Sequence, residues 1–557
     1  MEFKMGVYDA PEKQKQPLFE MYPLKTNVAV FGGPMTGKTT FVKTLLVRLH
    51  EKRGPDEEEI YIVDFGGSLG DFGNLQNICA AFDNSSEENI KRVFRTVEKR
   101  LEDNADHLGG RSYYEVYREN PKACPPHLTF IIENINAFLA DERYESYRDR
   151  LTKLCRDGLS KGLTVVITGR DTAGVGRLLT NFAQKIGLGL NADEYMEIFG
   201  CKILPPMRLP GRGIVNIESN HYEFQCFLPF PVREQLGLAP LLRIAEKNPN
   251  PRRMKAFGKE LTFDDLKKQS TKPITEMPDQ VLLGLDYYEH KPVILDYAKN
   301  KAIGIYGKRK FGKTNLLKLI LDGIRKQHPD YRFVYLDDGR KQLCQVMNHP
   351  IPANAQEREK VLDGMMSDIK RDGYFRSGDE FYLRDPDQLV DFLIQNNYVT
   401  DKGSDYAPGF LPGLTGEASQ PGVPSMKPLQ ESPKPTVFVV DNKMFYQVLS
   451  SKGKRLLNSY LPELINRAED TGNLVIFAEI RNMAELHREE FNRLLTIAFL
   501  LDNLGEFIID RGNKSVFKDM DAKEMKTTYA RCEMGDGYIY TIDADELQKV
   551  KFIKTVR

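Results

Sequence analysis

Short apolar runs alternate with amphipathic segments along this chain of 557 residues. Residues 27–31 (NVAVF) have the length and composition of a buried strand, and in residues 41–53 the apolar positions recur at helical spacing. Buried strands that alternate with helices are typical of a parallel sheet with helices on both faces. We therefore predict a doubly wound α/β fold. Further predicted elements of the first half are strands at 60–63, 128–132 and 163–167 and an amphipathic helix at 88–101.

A glycine-rich turn follows the strand at 27–31 and fits the pattern GxxxxGK[ST]. Its glycines allow backbone N–H groups to face phosphates, and the helix that follows directs its positive N-terminal end toward them. In such a loop the lysine, here Lys38, reaches the β- and γ-phosphates, and the hydroxyl of Thr39 binds Mg²⁺. We predict that ATP and Mg²⁺ bind here. The predicted nucleotide-binding residues are Gly32, Gly33, Pro34, Met35, Thr36, Gly37, Lys38, Thr39 and Thr40.

Glu133 follows the strand at 128–132, where P-loop enzymes place the carboxylate that holds Mg²⁺. The usual residue there is aspartate, and the next residue often orients the attacking water; here that next residue is Asn134. Glu133 and Asn134 are the candidates for the catalytic positions, and Glu133 with Thr39 for the metal site. A strand that ends at an ordinary surface acid is the alternative. After the next strand, Thr168-Gly169-Arg170 is either a sensor of the γ-phosphate or a plain loop.

The same order of features occurs a second time in the C-terminal half. A second GxxxxGK[ST] loop follows a strand at 302–306, and strands at 333–337, 437–442 and 474–479 match the partners of the first loop. Repetition of a whole ordered set predicts a duplicated module. The predicted nucleotide-binding residues of the second loop are Gly307, Lys308, Arg309, Lys310, Phe311, Gly312, Lys313, Thr314 and Asn315.

In the second module the strand-end acid is Asp441, followed again by an asparagine, Asn442. Asp441 and Asn442 are the candidates for its catalytic positions, and Thr314 with Asp441 for its Mg²⁺ site. The predicted domains are residues 1–238 and 280–557, joined by a polar, lysine- and proline-rich linker at 239–279. An insertion near 405–435 contains seven prolines. We predict a mobile loop there, which is either plain surface or the border of a groove for an amphipathic helix.

The composition narrows the classes of function. The chain has 79 basic residues (Lys plus Arg) and 79 acidic residues (Asp plus Glu). This balance disfavours a protein whose whole surface binds nucleic acid. The seven cysteines form no CxxC pair, so we expect neither a zinc site nor a disulfide framework. We also expect no signal peptide and no transmembrane segment, because the N-terminus lacks an apolar core and no apolar stretch is long enough.

Several motifs resemble the FtsK/SpoIIIE-type ATPases: GVYD at 6–9 with PEKQ at 11–14, the first phosphate loop, and PGRG at 210–213. Within that group the chain is most similar to the last two ATPase domains of the EssC/EccC proteins of bacterial type VII secretion, in their firmicute form. The resemblance covers nearly the full chain and implies two tandem RecA-like P-loop NTPase domains. It further implies the cytoplasmic portion of a membrane-anchored protein.

The same resemblance implies a set of partners. These would be small secreted helical-hairpin proteins of the WXG100 type, bound through a C-terminal signal, and other subunits of the secretion machine. The full-length protein would form a homo-hexamer, and nucleic acid is not expected as a partner.

The chain departs from active members of that family in ways that predict slow hydrolysis. Neither module has a second acid after its strand-end acid, and Gly169 and Glu479 stand where relatives with motor activity have glutamine. GRG at 211–213 becomes GDG at 535–537, which removes an arginine. Two alternatives stay open, an FtsK-like DNA translocase and a non-hydrolysing module in which ATP stabilises a cargo-binding fold.

Overall fold

The computed structural model of the chain contains two compact units, Met1–Ala256 and Phe257–Arg557. Lys308, Arg309, Asn442 and nearly all of the insertion near 405–435 lie outside the residues that the structure describes. The described residues are 2–230, 237–254, 260–269, 278–287, 290–307, 310–337, 343–348, 355–400, 434–441, 455–480, 495–501, 532, 535–541 and 546–555.

The first unit contains a ten-stranded sheet and eight α-helices within its described residues. Its strands are β1 (Phe3–Tyr8), β2 (Leu18–Met21), β3 (Val28–Gly32), β4 (Glu58–Asp64), β5 (Ile78–Asp83), β6 (His127–Glu133), β7 (Leu163–Gly169), β8 (Gln184–Leu188), β9 (Arg212–Ile217) and β10 (Asn220–Cys226). Its helices are α1 (Lys38–Lys52), α2 (Glu87–Leu108), α3 (Tyr113–Glu119), α4 (Ile135–Ala140), α5 (Glu145–Asp157), α6 (Gly176–Leu179), α7 (Ala192–Phe199) and α8 (Leu238–Lys247). Short 3₁₀ segments lie at Pro11–Lys13, Gly70–Asn74, Pro121–Ala123, Glu142–Tyr144 and Leu159–Lys161.

The strand order of this sheet is β2-β1-β10-β9-β8-β3-β7-β6-β4-β5. The six strands from β8 to β5 run parallel, and the other four are antiparallel. All parallel strands therefore end at one edge of the sheet, and the phosphate loop leaves β3 at that edge. Strands β6 and β7 follow next in the order, so their carboxyl ends are the nearest on that side.

The central strands are continuous apolar runs in the sequence because both faces of the sheet are covered by apolar side chains. Every residue of β3, β6 and β7 is buried. Val28 and Val30 belong to one apolar cluster, whereas Ala29 and Phe31 belong to another. Because successive side chains of a strand point to opposite faces, the two clusters lie on opposite sides of the sheet.

Within the part of the second unit that the structure describes, the strands form one eleven-stranded sheet. Its strands are β11 (Gln280–Asp286), β12 (Pro292–Asp296), β13 (Ala302–Tyr306), β14 (Arg332–Leu336), β15 (Phe375–Ser377), β16 (Glu380–Leu383), β17 (Thr436–Asp441), β18 (Leu474–Ile480), β19 (Ile497–Leu500), β20 (Asp536–Thr541) and β21 (Glu546–Phe552). Its α-helices are α9 (Phe263–Gln269), α10 (Lys313–Gln327), α11 (Ala355–Asp372), α12 (Pro386–Gln395), α13 (Leu461–Asn466) and α14 (Ala468–Thr471). A 3₁₀ segment lies at Leu343–Val346 and a π-helical turn at Leu456–Tyr460.

The strand order of the second sheet, β12-β11-β21-β20-β19-β13-β18-β17-β14-β16-β15, repeats that of the first. Each strand of the first sheet has a counterpart in the same place, and β15 is added at one edge. The predicted duplication of an α/β module is therefore confirmed. In both units the strand before the phosphate loop lies at the centre of its sheet.

The first part of the predicted linker belongs to the first unit. Three leucines of α8 pack against one of its apolar clusters. Farther along, the N–H of Met254 donates to the carbonyl of Cys79 at 2.6 Å, and Arg252 forms an ion pair of 3.4 Å with the buried Glu59. These contacts explain why the compact unit extends to Ala256.

Within the part of the chain that the structure describes, no helix combines the length and the apolarity needed to cross a bilayer.

Candidate nucleotide sites

The first phosphate loop connects β3 to α1. Met35 and Gly37 have positive φ angles of 59° and 105°, and they curl the chain back toward the end of β3. The N–H of Gly211 donates to the carbonyl of Thr36 at 2.7 Å. The PGRG motif at 210–213 therefore supports the loop directly. The motif is visible in the sequence, but its hydrogen bond to Thr36 is not, because the two segments lie far apart along the chain.

Lys38 is the first residue of α1, and its side chain turns back to the loop. Its Nζ donates to the carbonyl oxygens of Gly32 and Gly33 at 2.6 and 2.8 Å. Burial lowers the pKa of Lys38, and the nearby charge of Glu133 opposes that shift. The amino group of Lys38 therefore lies where this motif binds phosphates.

Glu133 ends β6 and is only 4% exposed. The hydroxyl of Thr39 donates to its Oε1 at 2.8 Å, and the hydroxyl of Thr168 donates to its Oε2. The two residues predicted for the first metal site are thus in contact, although Glu133 is one methylene longer than the usual aspartate. Hydroxyl and carboxylate oxygens are ligands that Mg²⁺ accepts, and in P-loop enzymes phosphates and water complete its coordination. These side chains therefore fit Mg²⁺.

Asn134 follows Glu133 and has a φ of 65°. Its Oδ1 accepts a hydrogen bond from the N–H of Ala137 at 3.4 Å and so caps helix α4. A side-chain amide has no basic site that could take a proton from water. Asn134 occupies the predicted position, but its side chain acts there as a helix cap.

Asp64 lies beside Glu133, because the two residues are paired in the register of β4 and β6. Its Oδ2 accepts from the N–H of Leu69 at 2.8 Å, which closes the turn after β4. In the second module, Oδ2 of Asp337 likewise accepts from the N–H of Leu343 at 2.8 Å. Both acids are visible in the sequence at strand ends, whereas these hydrogen bonds become visible only in the structure.

Asn136 fixes the segment that follows β7. Its Oδ1 accepts from the N–H of Arg170 at 2.8 Å, and its Nδ2 donates to Asp171 at 3.0 Å. The Arg170 side chain is 79% exposed and forms an ion pair of 3.9 Å with Asp171. The guanidinium therefore lies open at the edge of the sheet that carries Glu133. Its role as a γ-phosphate sensor stays a prediction.

The second phosphate loop connects β13 to α10. Lys310 and Gly312 have φ angles of 74° and 96°, close to the values of their counterparts in the first loop. The Nζ of Lys313 donates to the carbonyl of Gly307 at 2.7 Å, and Lys313 is only 7% exposed. Phe311 packs against an apolar cluster of the unit. The second lysine is thus placed like the first but is more deeply buried.

The side chain of Asn315 is engaged away from the phosphate loop. It donates to the carbonyl of Ile553 and accepts from the N–H of Thr555, both at 2.8 Å. The amide therefore connects α10 to the C-terminal segment. Any contact of Asn315 with a nucleotide would have to come from its backbone. Thr314 is exposed at the start of α10, and Asp441 is fully buried at the end of β17.

The GRG stretch at 211–213 and the GDG stretch at 535–537 each contribute one partner to an ion pair, and the signs of the two partners are exchanged between the modules. In the first module Arg212 pairs with Glu223, and both side chains are more than a third exposed. In the second module Asp536 pairs with Lys551 at 2.6 Å, and both side chains are buried. The arginine that the second module lacks is thus replaced by a buried acid with a lysine partner.

Comparison with known proteins finds that the chain is similar to proteins of bacterial secretion systems. Residues 7–106 match the FtsK/SpoIIIE family. The chain is 26% identical over 351 residues to the ESX-3 secretion system protein EccC3 of Mycobacterium tuberculosis, a match that covers 58% of this chain and 25% of that protein. The chain thus spans about a quarter of the length of the curated relatives that it matches.

Two solved structures share the fold along the whole chain. EssC (ATPases 2 and 3) from Geobacillus thermodenitrificans has a TM-score of 0.65 at 19% identity, with 99% of this chain and 96% of that chain covered. EccC (ATPases 2 and 3) from Thermomonospora curvata, in complex with a signal sequence peptide, has a TM-score of 0.61 at 18% identity, with 100% and 93% covered. The prediction of two tandem RecA-like P-loop domains is confirmed.

Proposed function

We propose that this chain, whose residues 7–106 form an FtsK/SpoIIIE domain, is the ATP-binding module of a bacterial type VII protein secretion system. Its relatives are type VII secretion ATPases, which supports a role in a secretion motor. In the full-length protein the module would be the cytoplasmic end of a membrane-anchored homo-hexamer. It would act there together with other subunits of the secretion machine.

The observation that carries this proposal is the arrangement of Lys38, Thr39 and Glu133 at the end of the central strands. Lys38 would exchange its contacts to loop carbonyls for phosphate oxygens of ATP. Thr39 and Glu133 would hold Mg²⁺, which neutralises charge on the phosphates when it is bound. In the second module Lys313, Thr314 and Asp441 would take the same roles.

The residues that follow the strand-end acids lead us to expect that the chain binds ATP but hydrolyses it slowly. Asn134 caps a helix and cannot activate water, and Asn442 stands at the corresponding position of the second module. Slow hydrolysis leaves ATP intact while it is bound. A ligand that prefers one arrangement of a module stabilises that arrangement, so ATP would act here mainly as a conformational ligand.

The cargo of this module would be a small helical-hairpin protein of the WXG100 type, bound through its C-terminal signal. Support comes from the similar EccC structure that contains a signal sequence peptide. We place the peptide site on the second module. The insertion near 405–435, nearly all of which lies outside the described residues, carries Phe410, Leu411, Leu414 and Val423 in a polar, proline-rich context and is the candidate border of that site.

Calorimetric titration of the purified chain with a C-terminal WXG100-type peptide tests this function. We expect saturable binding of the peptide and none of a scrambled control. Deletion of residues 405–433 should change the peptide affinity while ATP binding persists, and an unchanged affinity would move the peptide site elsewhere on the module. No binding of any cargo peptide, together with tight and strongly salt-dependent binding of duplex DNA, would instead favour a DNA translocase.

A further inference from the structure

We propose that Thr168 is a positioning residue, which holds the carboxylate of Glu133 at the Mg²⁺ site and compensates for the length of this acid. The inference rests on the proposed nucleotide binding of the first module. Glutamate and threonine would then form a functional pair there, equivalent to an aspartate–alanine pair in the second module.

The register of the sheet brings the two side chains together. Strands β6 and β7 are parallel neighbours with Ile132 opposite Ile167, so the next residues, Glu133 and Thr168, lie side by side. Both are buried, Glu133 at 4% and Thr168 at 0% exposure. A carboxylate buried to this degree needs hydrogen-bond donors for its oxygens, because water does not reach it freely.

The hydrogen bonds around Thr168 have a fixed direction. The N–H of Asn134 donates to Oγ1 of Thr168 at 2.9 Å. A hydroxyl carries a single proton, and that proton is given to Oε2 of Glu133. The other oxygen, Oε1, accepts from Thr39 at 2.8 Å. The carboxylate is therefore held from both sides, with one oxygen turned to Thr39, the second residue of α1.

A longer acid needs such a partner more than a shorter one does. Glutamate has one more rotatable bond than aspartate, and each unrestrained torsion spreads its carboxylate over more positions. A metal ligand is effective only when its oxygens are fixed where the ion binds, and the groups that orient ligands contribute strongly to metal affinity. Thr168 supplies that restraint to Glu133.

The second module shows the alternative solution at the corresponding positions. Asp441 ends β17, and Ala478 lies opposite it on β18. Alanine has no hydroxyl to donate, but the acid there is one methylene shorter. Within a single chain, the longer acid thus occurs with a hydroxyl donor and the shorter acid occurs without one at this position.

The test uses the full chain with Lys313→Met, so that nucleotide binding reports on the first module. In this background we would compare Thr168→Ala, Thr168→Ser, Glu133→Asp and the double variant Glu133→Asp/Thr168→Ala. The measurement is the Mg²⁺ concentration that half-saturates the binding of a fluorescent ATP analogue, with a parallel titration in EDTA as the Mg²⁺-free baseline.

We expect Thr168→Ala to raise the half-saturating Mg²⁺ concentration roughly tenfold to a hundredfold, the usual effect of losing a group that orients a metal ligand. The baseline in EDTA should not change, and Thr168→Ser, which keeps the hydroxyl, should behave like the parent. The double variant copies the second module and should recover most of the Mg²⁺ affinity. If Thr168→Ala fails to fold, the double variant and Glu133→Asp carry the comparison.

An unchanged Mg²⁺ requirement in Thr168→Ala would overturn the proposal. So would a double variant that is no better than Thr168→Ala, since a purely structural hydroxyl cannot be replaced by a shorter acid. A parent chain that binds no nucleotide at all would instead refute the proposed function, which keeps the two failures distinct.

Discussion

Replacing Gly37 with alanine tests how the first phosphate loop is supported, and Gly312 offers a matched control in the second loop. Both glycines precede a helix with similar positive φ angles, 105° and 96°. Their surroundings differ. A Cβ at Gly37 would lie 2.7 Å from the backbone nitrogen of Gly211, whereas a Cβ at Gly312 would meet no atom of the described residues within 4 Å.

The expected effect of each variant follows from the strain of its positive φ angle and from the contact that the new Cβ would make. A side chain in this left-handed backbone costs about 1–2 kcal/mol, and both variants carry that strain. Only Gly37→Ala must also displace Gly211, whose N–H donates to the carbonyl of Thr36 at 2.7 Å. Loss of that hydrogen bond adds about 0.5–1.5 kcal/mol. We therefore expect Gly37→Ala to weaken ATP binding at its own site by about 1 kcal/mol more than Gly312→Ala does. This difference corresponds to about fivefold in the binding constant.

Titration of each variant with a fluorescent ATP analogue measures the affinity of the affected site, and the other site serves as the internal reference. Unfolding followed by circular dichroism gives the accompanying loss of stability, which suits a chain without tryptophan. Equal losses in the two variants, or a larger loss in Gly312→Ala, would refute the idea that the PGRG segment supports the first loop.

Three further predictions concern the ion pairs, the turnover and the exposed arginine. Asp536→Ala should destabilise the second module by about 3–5 kcal/mol, because it leaves Lys551 buried without its acid; Glu223→Ala, which breaks the half-exposed pair with Arg212, should cost at most about 1 kcal/mol in the same denaturation assay. Steady-state phosphate release should stay far below the enzyme median of about 10 s⁻¹, and a rate at or above it would reveal another group that activates water. If Arg170 senses the γ-phosphate, Arg170→Ala should weaken ATP binding and leave ADP binding unchanged; equal effects on both nucleotides would assign it to a plain loop.

The elements around the phosphate loops could be predicted because their signals are local. The strand predicted at 302–306 has the bounds of β13, and the strand predicted at 163–167 begins where β7 begins. The loop pattern, the following helix and the strand-end acid each occupy a short stretch of sequence. The duplication was visible for the same reason, since the same short signals occur twice in the same order.

The contacts that assemble the site could not be predicted from spacing. The hydrogen bond from Thr168 to Glu133 depends on β6 and β7 being neighbours in one particular register. The support of Thr36 by Gly211 joins the loop to a segment near β9. Which strands are adjacent, and in which register, is decided by the packing of the whole sheet, which short patterns do not encode.

Counting the nucleotides bound per chain tests most directly whether each module holds one. Equilibrium titration with a fluorescent ATP analogue in the presence of Mg²⁺ should give two sites for the unmodified chain and one each for Lys38→Ala and Lys313→Ala, because each change removes the charge that faces the phosphates. Lys313→Met keeps the buried stem of the side chain and guards against a loss that reflects unfolding. The variant with both lysines replaced should bind none. One site or none in the unmodified chain, or an unchanged count in either single variant, would contradict the assignment of that module.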